Sequence, residues 1–228
     1  MRRIGIVGGL SPESTVLYYN YIIKGFRERF RSEKYPEVLI YSVSFGRVVE
    51  LMRSGDFKGV ARELLKAVKS LAAAGADFAL IAANTPHIVF NEVSSLSPIP
   101  MVSIVDALAE ALKRDGITKV GLLGTKLTLT KPFYVEGLRK HEIYAVIPSN
   151  ADIEVIDEII FKELTLGIVK ESSKDRVKEV IKGLVSRGAQ AVALACTELP
   201  LLIKGKYMVK LYDTARIHAE KALELATA

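Results

Sequence analysis

The residues of this chain best suited to chemistry stand at the end of one apolar run. Gly188 to Pro200 reads GAQAVALACTELP, a stretch of strand length that stops on the only cysteine, Cys196, with Thr197 and Glu198 directly after it. A thiol at the exit of a strand can give or take a proton, provided its surroundings set its acidity, since free cysteine has a pKa of about 8.5. Most lone cysteines are small buried hydrophobes. Here two polar residues following the strand argue for a site instead. When the chain is slid against itself, GADFALIAANTP (Gly75 to Pro86) falls on the same pattern, with Gly75 over Gly188, Ala76 over Ala189, Ala82 over Ala195 and Ala83 over Cys196. The place that duplicates the thiol holds a methyl group, which can neither take nor give a proton.

The elements that must position these residues alternate in type. Arg3 to Gly8 (RIGIVG) reads as a short buried strand. Ser11-Pro12-Glu13 then supplies an N-cap, a proline at the first helical position and an acid in the first turn of a helix reaching about Phe30. Pro36 to Ser44 reads as a second strand, Phe57 to Ala74 as an amphipathic helix, Phe78 to Ala83 as a third strand, and Met101 to Ile104 as a fourth, leading into a helix after Asp106. From Lys119 the pattern starts again. KVGLLGT lies over RIGIVGG, with Gly121 over Gly5 and Gly124 over Gly8, and a helix from Asp175 to Ser186 precedes GAQAVALAC. MVKLYD (208–213) lies over MVSIVD (101–106), which puts Asp106 and Asp213 at equivalent helix caps. Three blocks in one order make an internal duplication, with the repeat beginning after Lys113 to Thr118. Strands alternating with helices predict an α/β fold of two similar, doubly wound parallel sheets. Ligands of such sheets bind beyond the carboxyl ends of the strands. There the chain offers Gly8 to Ser11 and Ala83-Asn84-Thr85 in one half, and Gly124-Thr125-Lys126 and Cys196-Thr197-Glu198 in the other. Thr85-Pro86 predicts a helix start, whose free N–H groups favour a carboxylate. A small anion bound between the halves is the expected ligand.

Composition narrows the remaining classes. A chain of 228 residues, 50% hydrophobic and with mean hydropathy +0.24, can bury a sizeable core. One cysteine permits neither an internal disulfide nor a metal-thiolate cage. The glycine-broken start, Met1 to Leu10, reads as a strand and not as a signal peptide, and no apolar run suits a bilayer, so a cytoplasmic protein with no membrane partner is expected. The net charge of +6 comes from lysines and arginines interleaved with glutamates, as in Arg62-Glu63 and Lys178-Glu179. With no Trp and no aromatic ladder beside a basic stripe, nucleic acid is not an expected partner. The glycines at 5, 8 and 9 do not form GxGxxG, no GxxxxGK or GxSxG occurs, and His87, His141 and His218 are scattered, so no dinucleotide, P-loop, esterase or metal site is expected. A single Gln and four Asn match a heat-adapted, thermophilic composition.

GGLSPEST (8–15), AANTPH (82–87), LLGT (122–125) and ACTELP (195–200) resemble the cofactor-independent aspartate/glutamate racemase family over essentially the full length. The resemblance implies two doubly wound domains related by a pseudo-twofold axis, with the active site in the cleft between them. It implies that the last helix crosses back, so that the domains are 1–104 plus 214–228 and 105–213. A homodimer, no pyridoxal phosphate, no metal and a small amino acid or dicarboxylate as substrate are implied as well. Two cysteines act in that family, one on each face of the substrate. Cys196 matches one of them, and Ala83 stands where the other is expected. Racemisation needs a base to remove the α-proton from one side and an acid to return one to the other. Asn84, Thr85, Thr125, Thr128 and Thr197 are the expected holders of the substrate carboxylate and of the developing enolate. Arg47 stands where some relatives place an arginine for a distal carboxylate, while a lysine they carry is replaced within Thr165-Leu166-Gly167. The expected function is thus an aspartate racemase-like isomerase, weak or one-sided because of Ala83. The alternatives are an arylmalonate decarboxylase-like lyase with Cys196 as single proton donor, and a non-catalytic amino-acid binding protein.

Overall fold

In a computed structural model of the chain, residues 1–203, 205 and 207–228 are described. They divide into two compact units, Met1–Ile104 with Ala215–Ala228, and Val105–Thr214. The first unit runs β1 (Ile4–Gly8), α1 (Pro12–Phe30), β2 (Val38–Ser42), α2 (Phe45–Ser54), α3 (Phe57–Ala73), β3 (Phe78–Ile81), a 3₁₀ turn (Thr85–Val89), α4 (Phe90–Leu96) and β4 (Met101–Val102). The second continues with α5 (Ile104–Arg114), β5 (Lys119–Gly124), α6 (Lys126–Thr130), α7 (Phe133–Lys140), β6 (Tyr144–Val146), α8 (Asn150–Lys162), a 3₁₀ turn (Leu164–Leu166), α9 (Glu171–Ser186), β7 (Ala191–Ala195), α10 (Leu199–Leu202) and β8 (Lys210–Asp213). The closing helix, α11 (Thr214–Thr227), returns to the first unit from Ala215 onward.

Each unit holds one parallel four-stranded sheet, ordered β2-β1-β3-β4 in the first and β6-β5-β7-β8 in the second. Identical order and direction make the duplication a matter of topology as well as of sequence. The registers agree too: Gly5 pairs Ala79 and Val7 pairs Ile81, as Gly121 pairs Val192 and Leu123 pairs Leu194. The fourth strand corrects the sequence expectation. Ala79 pairs Met101 whereas Val192 pairs Leu211, so Met101 corresponds to Leu211 and not to Met208. Similar Met-Val dipeptides mislead here, because the loop before β8 differs in length from the one before β4. Asp106 therefore lies inside the first turn of α5, where its carboxylate takes a 2.8 Å hydrogen bond from His141 Nε2, while Asp213 ends β8, and the two are not equivalent caps.

Side chains of period two divide each sheet between two cores. Ile4, Ile6, Phe78 and Leu80 face α1 and α11, burying Tyr18, Ile22 and Phe26 with Ala215, Ala219, Ala222, Leu223 and Ala226. Val7, Ala79, Ile81 and Ala83 face the other way, against Leu64, Ala67, Val68 and Leu71 of α3. In the second unit Leu123, Val192, Leu194 and Cys196 face Val177, Val180, Ile181 and Leu184 of α9. These two cores match residue for residue, Leu64 to Val177 and Leu71 to Leu184, at the same interval that separates Ala83 from Cys196. The α1 start is as the sequence dictates: the Ser11 hydroxyl accepts the Ser14 N–H, and Pro12 occupies the first turn.

Candidate active site

In the second unit the site grows from the paired ends of β5 and β7. Gly124 lies opposite Ala195, and a Cβ on Gly124 would stand 2.8 Å from the Ala195 carbonyl oxygen, so only glycine lets the strands end side by side here. Thr125 follows Gly124 and caps α6: its Oγ1 accepts the Thr128 N–H at 3.3 Å and lies 3.0 Å from Thr128 Oγ1. Cys196 follows Ala195, so Thr125, Thr128, Cys196 and Thr197 come together at one sheet end. Glu198 gathers the cluster. Its Oε2 accepts the Cys196 thiol at 3.0 Å and the Thr197 hydroxyl at 2.7 Å. Cys196, Thr197 and Glu198 are each 7% exposed. Burial, then the negative charge of Glu198, then the hydrogen bond to it, push the Cys196 thiol well above its ordinary value, against the opposing pull of the Glu198 and Leu199 backbone N–H groups. The thiol is thus aligned as a donor on the Glu198 carboxylate.

The first unit repeats the arrangement without the sulfur. Ala83 is buried at the exit of β3, beside buried Asn84 and half-buried Thr85. Thr85-Pro86 opens a 3₁₀ turn of 5 residues, shorter than the helix start the sequence predicts, so it offers fewer free amides to an anion. Next to it Ser14, fully buried in α1, donates its hydroxyl to the Ala82 carbonyl. Thr15 accepts the Gly9 N–H at 2.8 Å and presses so closely on Gly8 that an added Cβ would sit 2.5 Å from its methyl. Ser11 holds a left-handed φ of 135°.

Two expected site residues are engaged elsewhere. Arg47, on the first turn of α2, gives its Nε–H to Glu63 of α3 at 2.7 Å. Thr165, in the turn after α8, gives its hydroxyl to the Phe161 carbonyl at 3.0 Å. Sequence reasoning quoted Glu198 only as a polar neighbour and did not cast it as the partner of the thiol. His87 and His218, scattered in the sequence, lie buried in the first unit, where His87 meets the Ala83 carbonyl and the two rings meet each other. Among the described residues no group of three or more His, Cys, Asp or Glu side chains could hold a metal ion, and no helix is long and apolar enough to cross a membrane.

A parallel sheet repeated twice, each copy ending in a small-residue turn and the second bearing a thiol, defines an α/β protein built by duplication. The chain belongs to the Asp/Glu/Hydantoin racemase family, whose model matches residues 7–222. It is similar to an aspartate racemase homologue from Pyrococcus horikoshii OT3, with 42% identity, a TM-score of 0.88 and 100% of both chains covered. A candidate Asp/Glu racemase from Yersinia pestis is 36% identical with a TM-score of 0.94, again over 100% of both chains. The broad specificity amino-acid racemase RacX of Bacillus subtilis (strain 168) is 24% identical over 139 residues, a stretch covering 60% of either chain.

Proposed function

We propose that this chain is a cofactor-independent amino-acid isomerase that works its substrate from one face. One observation carries the reading. The same place in two matching cores holds a thiol that donates to Glu198 in one copy and a methyl group in the other. Cys196 delivers its proton to the α-carbon of a planar carbanion and becomes a thiolate; in reverse, the thiolate takes the α-proton and the carbanion forms. Thr125, Thr128 and Thr197, at the same sheet end as the sulfur, hold the carboxylate and the enolate, and Asn84 and Thr85 do the same around Ala83. Each well-placed donor contributes about 3 kcal/mol to the transition state. A substrate with a second carboxylate, aspartate among them, has to compete with Glu63 for Arg47, and Thr165 offers it only a hydroxyl already given to Phe161. The working form proposed is a cytoplasmic homodimer.

The test is exchange in heavy water. One enantiomer of a substrate amino acid is expected to wash in deuterium at the α-carbon with little inversion, Cys196→Ser to abolish the exchange, and Ala83→Cys to raise racemisation. Unchanged racemisation by Ala83→Cys counts against the reading. A single thiol that donates to Glu198, with Ala83 in the matching place, favours a second reading, decarboxylation, where loss of CO₂ leaves the carbanion and one proton donor completes the reaction. Release of CO₂ from substituted malonates, abolished by Cys196→Ser, would establish it.

A further inference from the structure

Two buried histidines lie in the first unit, His87 bonded to the Ala83 carbonyl and His218 packed on His87, and neither is used by the proposed chemistry. His87 is 3% exposed, in the 3₁₀ turn after β3, and His218 is fully buried on α11. Each neutral imidazole has one N–H and one lone pair, and all four are committed. His87 donates Nδ1–H to the Ala83 carbonyl at 2.8 Å and accepts the Ile104 N–H at Nε2, 3.1 Å away. His218 donates Nε2–H to the Val102 carbonyl at 2.9 Å and accepts the Tyr18 hydroxyl at Nδ1, also at 2.9 Å. The rings meet edge to face with centroids 5.7 Å apart, and Phe90 stacks on His87 at 5.1 Å. The titratable groups facing this pair are the other ring, from α11 or from the 3₁₀ turn, and the Tyr18 phenol from α1. A proton added to His87 sets its Nε2–H against the Ile104 N–H, two donors facing each other, whereas the Tyr18 hydroxyl can turn to accept from a protonated His218.

The carbonyl that His87 holds belongs to residue 83 itself, so the rotation of the peptide beyond position 83 is fixed from the side-chain side. Among the described residues the other half shows no such device. At the interval that carries Ala83 to Cys196, His87 falls on Pro200, and the Cys196 carbonyl is held instead by the Leu199 N–H at 3.3 Å. We propose that His87 is a positioning residue for position 83, braced through the β4–α5 junction by His218 and Tyr18, in a clamp that holds only while the His87 ring is neutral. That position 83 belongs to the site rests on the function proposed above; the clamp itself is read without turnover.

The experiment places the only thiol at position 83, by Ala83→Cys in a Cys196→Ser background, and follows its alkylation by iodoacetamide. His87→Asn keeps a donor where Nδ1 stood, and His87→Gln keeps an acceptor where Nε2 stood. The expected result is a rate within about twofold of the parent for His87→Asn and a change of about tenfold or more for His87→Gln, since the rate follows the exposure of a thiol that the parent backbone keeps buried at position 83. Equal rates for the two variants, or a larger effect of His87→Asn, overturn the proposal. Nitrogen NMR of the unaltered chain gives a second reading should a variant fail to fold. His87 is expected as the Nδ1–H tautomer and His218 as the Nε2–H tautomer at neutral pH, and the opposite tautomer for His87 overturns the clamp. Failure of Ala83→Cys to raise racemisation would sink the proposed reaction and leave these readouts standing.

Discussion

Lowering the pH from neutrality is expected to drain stability from this protein well before its carboxylates titrate. Burial is the main cause that holds His87 down to about 3 and His218 down to about 4, helped for His87 by the neighbouring His218 ring. An unfolded chain takes up both protons near pH 6.5, so as pH falls below that point the unfolded state binds protons the folded state refuses. The stabilisation is complete above about pH 6.5 and is lost on the way down towards the folded values. One pKa unit corresponds to about 1.4 kcal/mol, so two rings across two pH units give a loss of about 5 kcal/mol between about pH 6.5 and 4.5. That is a large share of the ~5–15 kcal/mol by which a domain is held folded. Urea unfolding followed by circular dichroism at several pH values measures it, as a falling midpoint at constant slope in denaturant. Replacing either histidine, by His87→Gln or His218→Gln, is expected to lower stability at high pH and to halve the dependence between these limits. Asp77, Asp115, Glu163 and Asp175 do not confuse the result. Their carboxyls are held below the usual range by the Arg3 backbone N–H, by Lys210 and Tyr212, by Ser173 and by Lys178 respectively, so their contributions disappear only below about pH 4. Stability that is flat from pH 6.5 to 4.5, or an unchanged dependence in both variants, refutes the reasoning.

Ser11 gives a second expectation. It caps α1 from a left-handed φ of 135°, so Ser11→Ala loses the cap and keeps the strain, costing about 1 kcal/mol. Ser11→Gly gives up the same hydrogen bond but frees the backbone, and its melting temperature should exceed that of Ser11→Ala by at least about 2–4 °C. A glycine variant that melts below the alanine variant would show that Ser11 is not strained. Glu198→Gln removes the charge that raises the Cys196 thiol, so the rate of Cys196 alkylation is expected to rise at lower pH than in the parent. A profile moved the other way would mean that Glu198 does not oppose ionisation of the sulfur.

The features legible in the sequence are those that depend on period and on local chemistry. Apolar alternation in IGIVG and FALI puts Ala83 on the same face as Val7 and Ile81, and the same alternation in the second copy puts Cys196 beside Leu123 and Leu194. The Ser11-Pro12 start of α1 is written in residues that touch one another. The fourth strand was misaligned because register is settled by hydrogen bonds to β3 and β7, which a pair of Met-Val dipeptides cannot reveal. Glu198 could be read as polar, but its carboxylate meets the thiol two residues earlier only because the chain turns directly after β7. His87 and His218 were seen as scattered because their meeting depends on α11 returning to the first unit. Nothing in their sequence neighbourhoods brings them together.

That return has a consequence for how the protein is made. The face of the first sheet carrying Ile4, Ile6, Phe78 and Leu80 is completed by α11, which is synthesised after the whole of the second unit. Until Ala215 to Ala226 emerge, the earliest part of the chain keeps an oily surface open while everything between is synthesised, a time in which a growing chain is most exposed to aggregation. The first unit is begun before the second and finished after it, so its folding is timed by the length of the second.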